Sequence, residues 1–331
     1  MKKNVMYFGM TVLFAGAALI LGGCGKETGK GQPTVTYEEL GEANSFEATF
    51  SRHKSCFLEK SVAEDESDTA VRAHGLFSTK MYQTPDVFYS DQVFFNEDIP
   101  DHRYREEGLR DKTEEYYLST GDDGEKVLGK AWYVMSDEEK AERRLENCGS
   151  PESFNIILID KDGNEKVVST EDNGDRTLTV TTNMPADVCG DCVEVPEEWK
   201  DATVEYQYRV NKDNLELYEL DAYILSGSER IDFLNEKVTY DVDEPEGYKA
   251  FRDYLDQYEK DKSPETRSLK VIYDPGTDME ETYEMTESLS CQIYPRYREG
   301  YSRYSDPEGK TPFQTSDGKR DVTVYCIKDV D

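Results

Sequence analysis

Histidine is the scarcest chemistry-bearing residue of this 331-residue chain: His53, His74 and His102 are scattered, and no nucleophile motif stands beside any of them. There is no glycine-rich phosphate loop, no Gly-x-Ser-x-Gly and no pair of histidines at metal-ligand spacing, so the usual catalytic sets have no candidate members. Basic residues are also few. Lys plus Arg number 39 against 71 Asp plus Glu, a formal net charge of −32. Nucleic acid and anionic headgroups both require a basic footprint, so neither is expected as a nonspecific partner. Tryptophan is confined to Trp132 and Trp199. What the chain has instead is 23 Tyr and 13 Phe at 36% hydrophobic content, enough to build a core and to argue against global disorder. Nothing calls for a cofactor or a metal.

The one long apolar stretch is at the start. Lys2 and Lys3 precede an apolar run from Val5 to Leu21, and Leu21-Gly22-Gly23-Cys24 closes it. A membrane-spanning helix wants about 20 apolar residues and tolerates any polar flank, whereas this run stops at small residues followed at once by cysteine. The tetrapeptide resembles the bacterial lipobox. That resemblance implies that residues 1–23 are a removed signal peptide and that Cys24 is the lipidated first residue of the mature chain. It further implies attachment to the extracytoplasmic face of the cell membrane. Two buried acyl chains, at about 0.8 kcal/mol per methylene, hold a protein there without further help. Residues 24–36, rich in Gly, Lys, Thr and Gln, read as a tether.

The remaining residues allow one large domain or two smaller ones. Tyr37 to Ala43 is expected to form a short helical stretch. Phe46, Ala48 and Phe50 alternate with Glu47, Thr49 and Ser51, the period of a half-wet strand. Apolar runs at 71–82 and 87–95 continue a meander, and the polar stretch from Asn96 to Lys112, with Pro100, reads as a long loop. Tyr116-Tyr117-Leu118 and Val127 to Val134 flank Gly121-Asp122-Asp123-Gly124, whose Asp-Gly suits a tight hairpin. Ser136 with Glu139 looks like a capping box opening a short helix. Further strands are expected at 154–168, 177–181, 204–210, 215–225 and 231–242. Pro245 then starts a helix whose Tyr248, Phe251, Leu255 and Tyr258 form one stripe.

This layout, with Tyr208-Arg-Val-Asn-Lys-Asp-Asn-Leu-Glu-Leu217 as a strand-turn-strand, resembles the LolA-like lipoprotein families. The resemblance implies a mainly β fold over residues 37–262, a curved antiparallel sheet or half-barrel with flanking helices, holding a hollow for acyl chains or a partner peptide. Residues 263–268 read as a linker. Beyond it, Val271 to Thr277, Gly300-Tyr301, Tyr304-Ser305-Asp306-Pro307, Thr311-Pro312-Phe313 and Asp321 to Tyr325 resemble the internalin B-repeat family, with Tyr304 where that family carries Trp. This implies a small β-grasp-like module over residues 267–331. Within such a module the strands at 289–293 and 322–327 would be neighbours, which makes Cys291 and Cys326 the best disulfide pair. The bridge would add roughly 3 to 4 kcal/mol in the chain-entropy model.

Six cysteines follow Cys24, and their 15 possible pairings are not fixed by spacing. Cys189-Gly190-Asp191-Cys192 suits a disulfide or turn, half of a zinc site, or a redox pair. Pro196 denies a redox centre its helix, and only Cys148 is a near neighbour as a further ligand. Asp160-Lys161-Asp162-Gly163-Asn164 carries its glycine too early for an EF-hand and reads as a turn. Trp132, Trp199, Tyr206, Tyr208 and Tyr218 are either core or the lining of a ligand region. The expectation is a non-catalytic, lipid-anchored surface lipoprotein that takes an apolar or peptide-like ligand in its curved sheet. Alternatives are a structural or adhesive surface protein binding a protein or glycan partner, and a Cys-based redox or metal protein.

Overall fold

The computed structural model describes residues 35–62, 76–96, 99–111, 114–121, 123–136, 165–186, 201–296, 298, 300–313 and 321–329. Cys24, the segment opened by Ser136, the Asp160–Asn164 turn, Cys189, Cys192 and Trp199 lie outside them. In chain order the elements are α1 (Tyr37–Ala43), α2 (Phe46–Arg52), β1 (Cys56–Val62), β2 (Leu76–Gln83), β3 (Val87–Asn96), β4 (Ile99–Asp111), β5 (Glu115–Thr120) and β6 (Lys126–Tyr133). Next come β7 (Lys166–Asp172), β8 (Thr177–Pro185), β9 (Thr203–Asn211), β10 (Leu217–Ser226), β11 (Glu229–Tyr240) and α3 (Glu246–Asp261). The chain ends in β12 (Thr266–Tyr273), β13 (Glu281–Ser288), β14 (Gln292–Arg296), β15 (Tyr301–Tyr304) and β16 (Asp321–Lys328). The fold is mainly β, as expected, with curved open sheets that do not close into a barrel.

The chain divides into two compact units, one of residues 1–53, 60–74 and 148–239, the other of residues 54–59, 75–147 and 240–331. In the first, β11-β10-β9-β8-β7 form an antiparallel succession. The alternation read in β9 holds: Val204, Tyr208 and Val210 are buried, and Val204 joins Met184, Ala202, Ala222 and Ile224 in a core that Tyr206 packs against. Helix α1 opens with a capping box, Thr36 accepting from the Glu39 amide while Glu39 accepts from the Thr36 amide.

In the second unit the order is β14-β6-β5-β4-β3-β2, antiparallel except that β14 runs parallel to β6. Helix α3 lays Tyr248 and Phe251 on Tyr82, Tyr89, Leu109, Leu118 and Leu128 of this sheet. Each such side chain contributes roughly 1.5 to 3 kcal/mol on burial. The expected stripe is therefore the contact face of α3, with Leu255 and Tyr258 packing at its margin. A separate sheet, β13-β12-β16-β15, has its first and last strands central and parallel and encloses Leu269, Val271, Tyr273, Val324 and Cys326.

Three expectations are corrected. Phe46 to Arg52 is helix, not strand: Ser45 caps it by accepting from the Ala48 amide, and Phe46 meets Phe50 edge to face at 4.8 Å, an i,i+4 contact that only a helix provides. Residues 99–111 form a strand, not a loop. Its charges hide the alternation because they are paired across the sheet, Arg105 gripping Asp91 at 2.7 and 2.9 Å and Glu107 accepting from Tyr89 at 2.9 Å. Finally, β14, which follows directly on Cys291, pairs with β6, and β16, which carries Cys326, pairs with β12 and β15, so the two expected strands are not neighbours.

Candidate ligand-binding face

Alternation sorts β5 into two faces. Tyr116 and Leu118 turn toward the α3 side, and Glu115 and Tyr117 toward the other, where register places them opposite Ala131 and Gly129 of β6. Strand β14 brings Tyr294 and Arg296 alongside Ala131 and Tyr133 on β6. Glu115, only 6% exposed, accepts from the hydroxyls of Tyr117 and Tyr133, one at each carboxylate oxygen. Arg296 donates to the Tyr117 hydroxyl and stands 3.7 Å from Glu115. A buried carboxylate is tolerable only with such partners.

Burial pushes the Tyr117 phenol well above its usual range, and the Glu115 charge adds to the effect. Burial works against the Arg296 charge, but Tyr117 and Glu115 outweigh it and hold the guanidinium protonated more firmly than usual. On β4 the register places buried Arg110 opposite Glu115, on this same face. Tyr294 is 46% exposed; its hydroxyl donates to Gln292, and its ring meets Tyr117 edge to face at 6.4 Å. Its Cε2 edge lies against Gly129, where a Cβ would stand 2.3 Å from Cε2 and 3.4 Å from Cζ. A glycine inside a strand is the sequence signal for such a close approach, and it was the one available sign of this site.

The residues expected to line a ligand region are not brought together here. Trp132 packs against the Val271 and Tyr273 core. Tyr208 is buried, donates to Glu165 at 2.8 Å and lies 6.2 Å from the Tyr206 ring, while the Tyr218 hydroxyl accepts from Asn211. Burial, with Glu165 second, drives the Tyr208 phenol far above its usual range. Of these four, Tyr208 is buried, whereas Trp132, Tyr206 and Tyr218 are half-buried. Cys291 and Cys326 are free buried thiols in separate cores, the first with Tyr89 and Phe251, the second with Val271 and Val324. The expected bridge between them is not formed. Burial raises both, Cys291 to about 12 and Cys326 to about 11. An open cavity of about 350 Å³ at the end of α3 is lined by Lys262, Ser263, Pro264, Thr266, Thr286, Glu287 and Ser288.

No protein-family model matches the chain, and none of the curated proteins compared with it matches.

Proposed function

We propose that this chain is a non-catalytic lipoprotein, anchored through Cys24 on the extracytoplasmic face of the cell membrane, that binds a surface partner through the side-chain face of β5, β6 and β14. The observation that carries the reading is Tyr294, a half-exposed ring fixed on Gly129 beside the Arg296–Glu115 pair. Solvent-facing aromatic rings held in one orientation give contact area at little entropic cost, which is the usual composition of an adhesive face. The adhesive reading is favoured over an apolar ligand within the curved sheet. The apolar faces described above are occupied, by α3 in one unit and by the strands' own side chains in the other.

Anchoring is tested by Cys24→Ser in the native host. The variant should leave the membrane fraction or remain unprocessed, and a processed, membrane-bound variant would refute the anchor. Binding is tested by displaying wild type and Tyr294→Ala on the cell surface and comparing adhesion to the same envelope material. Equal adhesion would refute the assigned face.

A further inference from the structure

We infer that β13 is a docking edge for an extended, basic peptide segment, which adds to the sheet β13-β12-β16-β15 as a further strand. This surface uses none of the residues of the β5, β6 and β14 face and does not rest on the reading above.

The backbone carries the inference. Strand β13 pairs with β12 in unbroken antiparallel register from Thr266–Ser288 to Tyr273–Glu281, and one step beyond it the Leu289 amide donates to the Glu265 carbonyl at 2.8 Å. Hydrogen-bonded pairs recur at every second residue of an antiparallel ladder. Counted in twos from Leu289, therefore, Glu287, Met285, Tyr283 and Glu281 spend their amides and carbonyls on β12, and those of Thr282, Glu284 and Thr286 point away from it. These three residues are exposed, and among the described residues their backbone groups have no hydrogen-bond partner. Unmet amides and carbonyls at strand spacing complement one kind of ligand, another extended backbone.

Proteins commonly blunt such an edge with a proline, a bulge, a lysine or a very short strand. Strand β13 is eight residues long and has none of these. By contrast, β14 carries Pro295, and β15, at the other end of the same sheet, is four residues long and bridged at Tyr304 to Pro312.

What β13 carries instead is glutamate, and this selects the occupant. The Glu284 side chain is 69% exposed, with Lys270 at 3.2 Å, and half-exposed Glu281 has Arg298 at 2.6 Å. Ion pairs this open contribute little and leave both carboxylates accessible to a further cation. Glu287, more covered, has Lys130 at 3.8 Å. A second copy laid on β13 would bring the same carboxylates together, on a chain of net charge −32, and an acidic peptide would meet the same repulsion. A strand with Lys or Arg at alternate positions meets none. Its intervening residues would fall beside Tyr283 and Met285, which are half-buried against the Val271 core, so apolar side chains suit them. At the Ser288 end the edge opens on the cavity of about 350 Å³, which gives the incoming chain room beyond Thr286.

The test titrates the full chain, purified in detergent, with an array of heptapeptides that alternate Lys with Val or Thr, and with counterparts carrying Gln or Glu in place of Lys. Calorimetry reads binding, and hydrogen exchange reads individual amides. In the free chain the Thr282, Glu284 and Thr286 amides should exchange quickly and those of Tyr283 and Met285 slowly. Basic peptides should bind and slow the first three. Thr286→Pro removes an outward amide but no bond to β12, so it should fold, with unchanged circular dichroism, and bind about fivefold more weakly. Glu284→Gln, which keeps the backbone, should cost about two- to fivefold. Binding that leaves the three amides fast, undiminished binding by Thr286→Pro, or no binding by any peptide overturns the inference. Equal binding of the Gln or Glu peptides overturns the basic class. Self-association that Thr286→Pro abolishes would give the edge to a second copy and overturn the peptide.

Discussion

The Cε2 edge of the Tyr294 ring abuts Gly129, so that a Cβ there would stand 2.3 Å from Cε2 and 3.0 Å from Cδ2. The two residues are diagonal neighbours across β6 and β14, since Gly129 pairs with Gln292 and Tyr294 with Ala131. An aromatic covering a strand glycine in this way supplies the packing that the glycine lacks. Gly129→Ala should therefore expel an exposed ring rather than break a core, costing about 1 kcal/mol, the low end for overpacking. Ligand binding should fall as far as in Tyr294→Ala. Urea denaturation and the same adhesion comparison check both, and a Gly129→Ala chain that adheres as well as wild type would disprove the packing argument.

Asn44 ties helix α1 to the turn between β9 and β10. Its Nδ2 donates to the Leu40 carbonyl at 2.8 Å and to the Leu215 carbonyl at 3.0 Å, and its Oδ1 accepts from the Leu217 amide at 2.9 Å. Leu215 sits at φ +58°, a left-handed conformation that a branched side chain disfavours, so the turn depends on this clamp. Asn44→Ala removes the Oδ1 acceptor of the Leu217 amide together with both Nδ2 donations. The expected loss is about 2 to 4 kcal/mol, three lost hydrogen bonds at roughly 1 kcal/mol each. A loss under about 0.5 kcal/mol in urea melts would show that the turn holds itself.

Asp306 collects three backbone N–H groups, from Glu308, Lys310 and Thr311, between 2.6 and 3.1 Å. The Lys310 amide is the largest cause of a carboxyl lowered to about 2, against opposing desolvation. Since the folded value is depressed, the stabilisation is present above the unfolded value of about 3.9 and is lost as pH falls through about 2. Carboxyl NMR shifts should place the Asp306 midpoint near 2, and Asp306→Asn should loosen amide protection at Lys310 and Thr311. A midpoint near 3.9 would contradict the geometry.

The cysteines give a chemical check. With Cys291 and Cys326 both raised by burial, neither should react with an alkylating reagent in the native chain at pH 8, and both should react on denaturation without reductant. Peptide mapping that finds Cys291 linked to Cys326 would contradict the strand order.

Much of the framework is legible in local sequence. Tyr248 and Phe251 recur at helical spacing, Val204 to Val210 alternate, and Gly124 takes the positive φ its hairpin needs. Where local signals compete, the sequence is ambiguous. Phe46 and Phe50 satisfy both a period of two and an i,i+4 contact, and the Ser45 cap decides for helix. The charges of β4 resemble a loop until Asp91 and Tyr89 are placed across from them.

What the sequence by itself determined is the class: an acidic, tyrosine-rich, mainly β chain whose helix α3 carries one apolar stripe. Only the tertiary structure decided that residues 292–296 pair with β6. That pairing joins segments more than 150 residues apart, and no local periodicity encodes a partner at such a distance. Through it Tyr294 meets Gly129 and Arg296 meets Glu115, so the candidate site exists as a consequence of strand order.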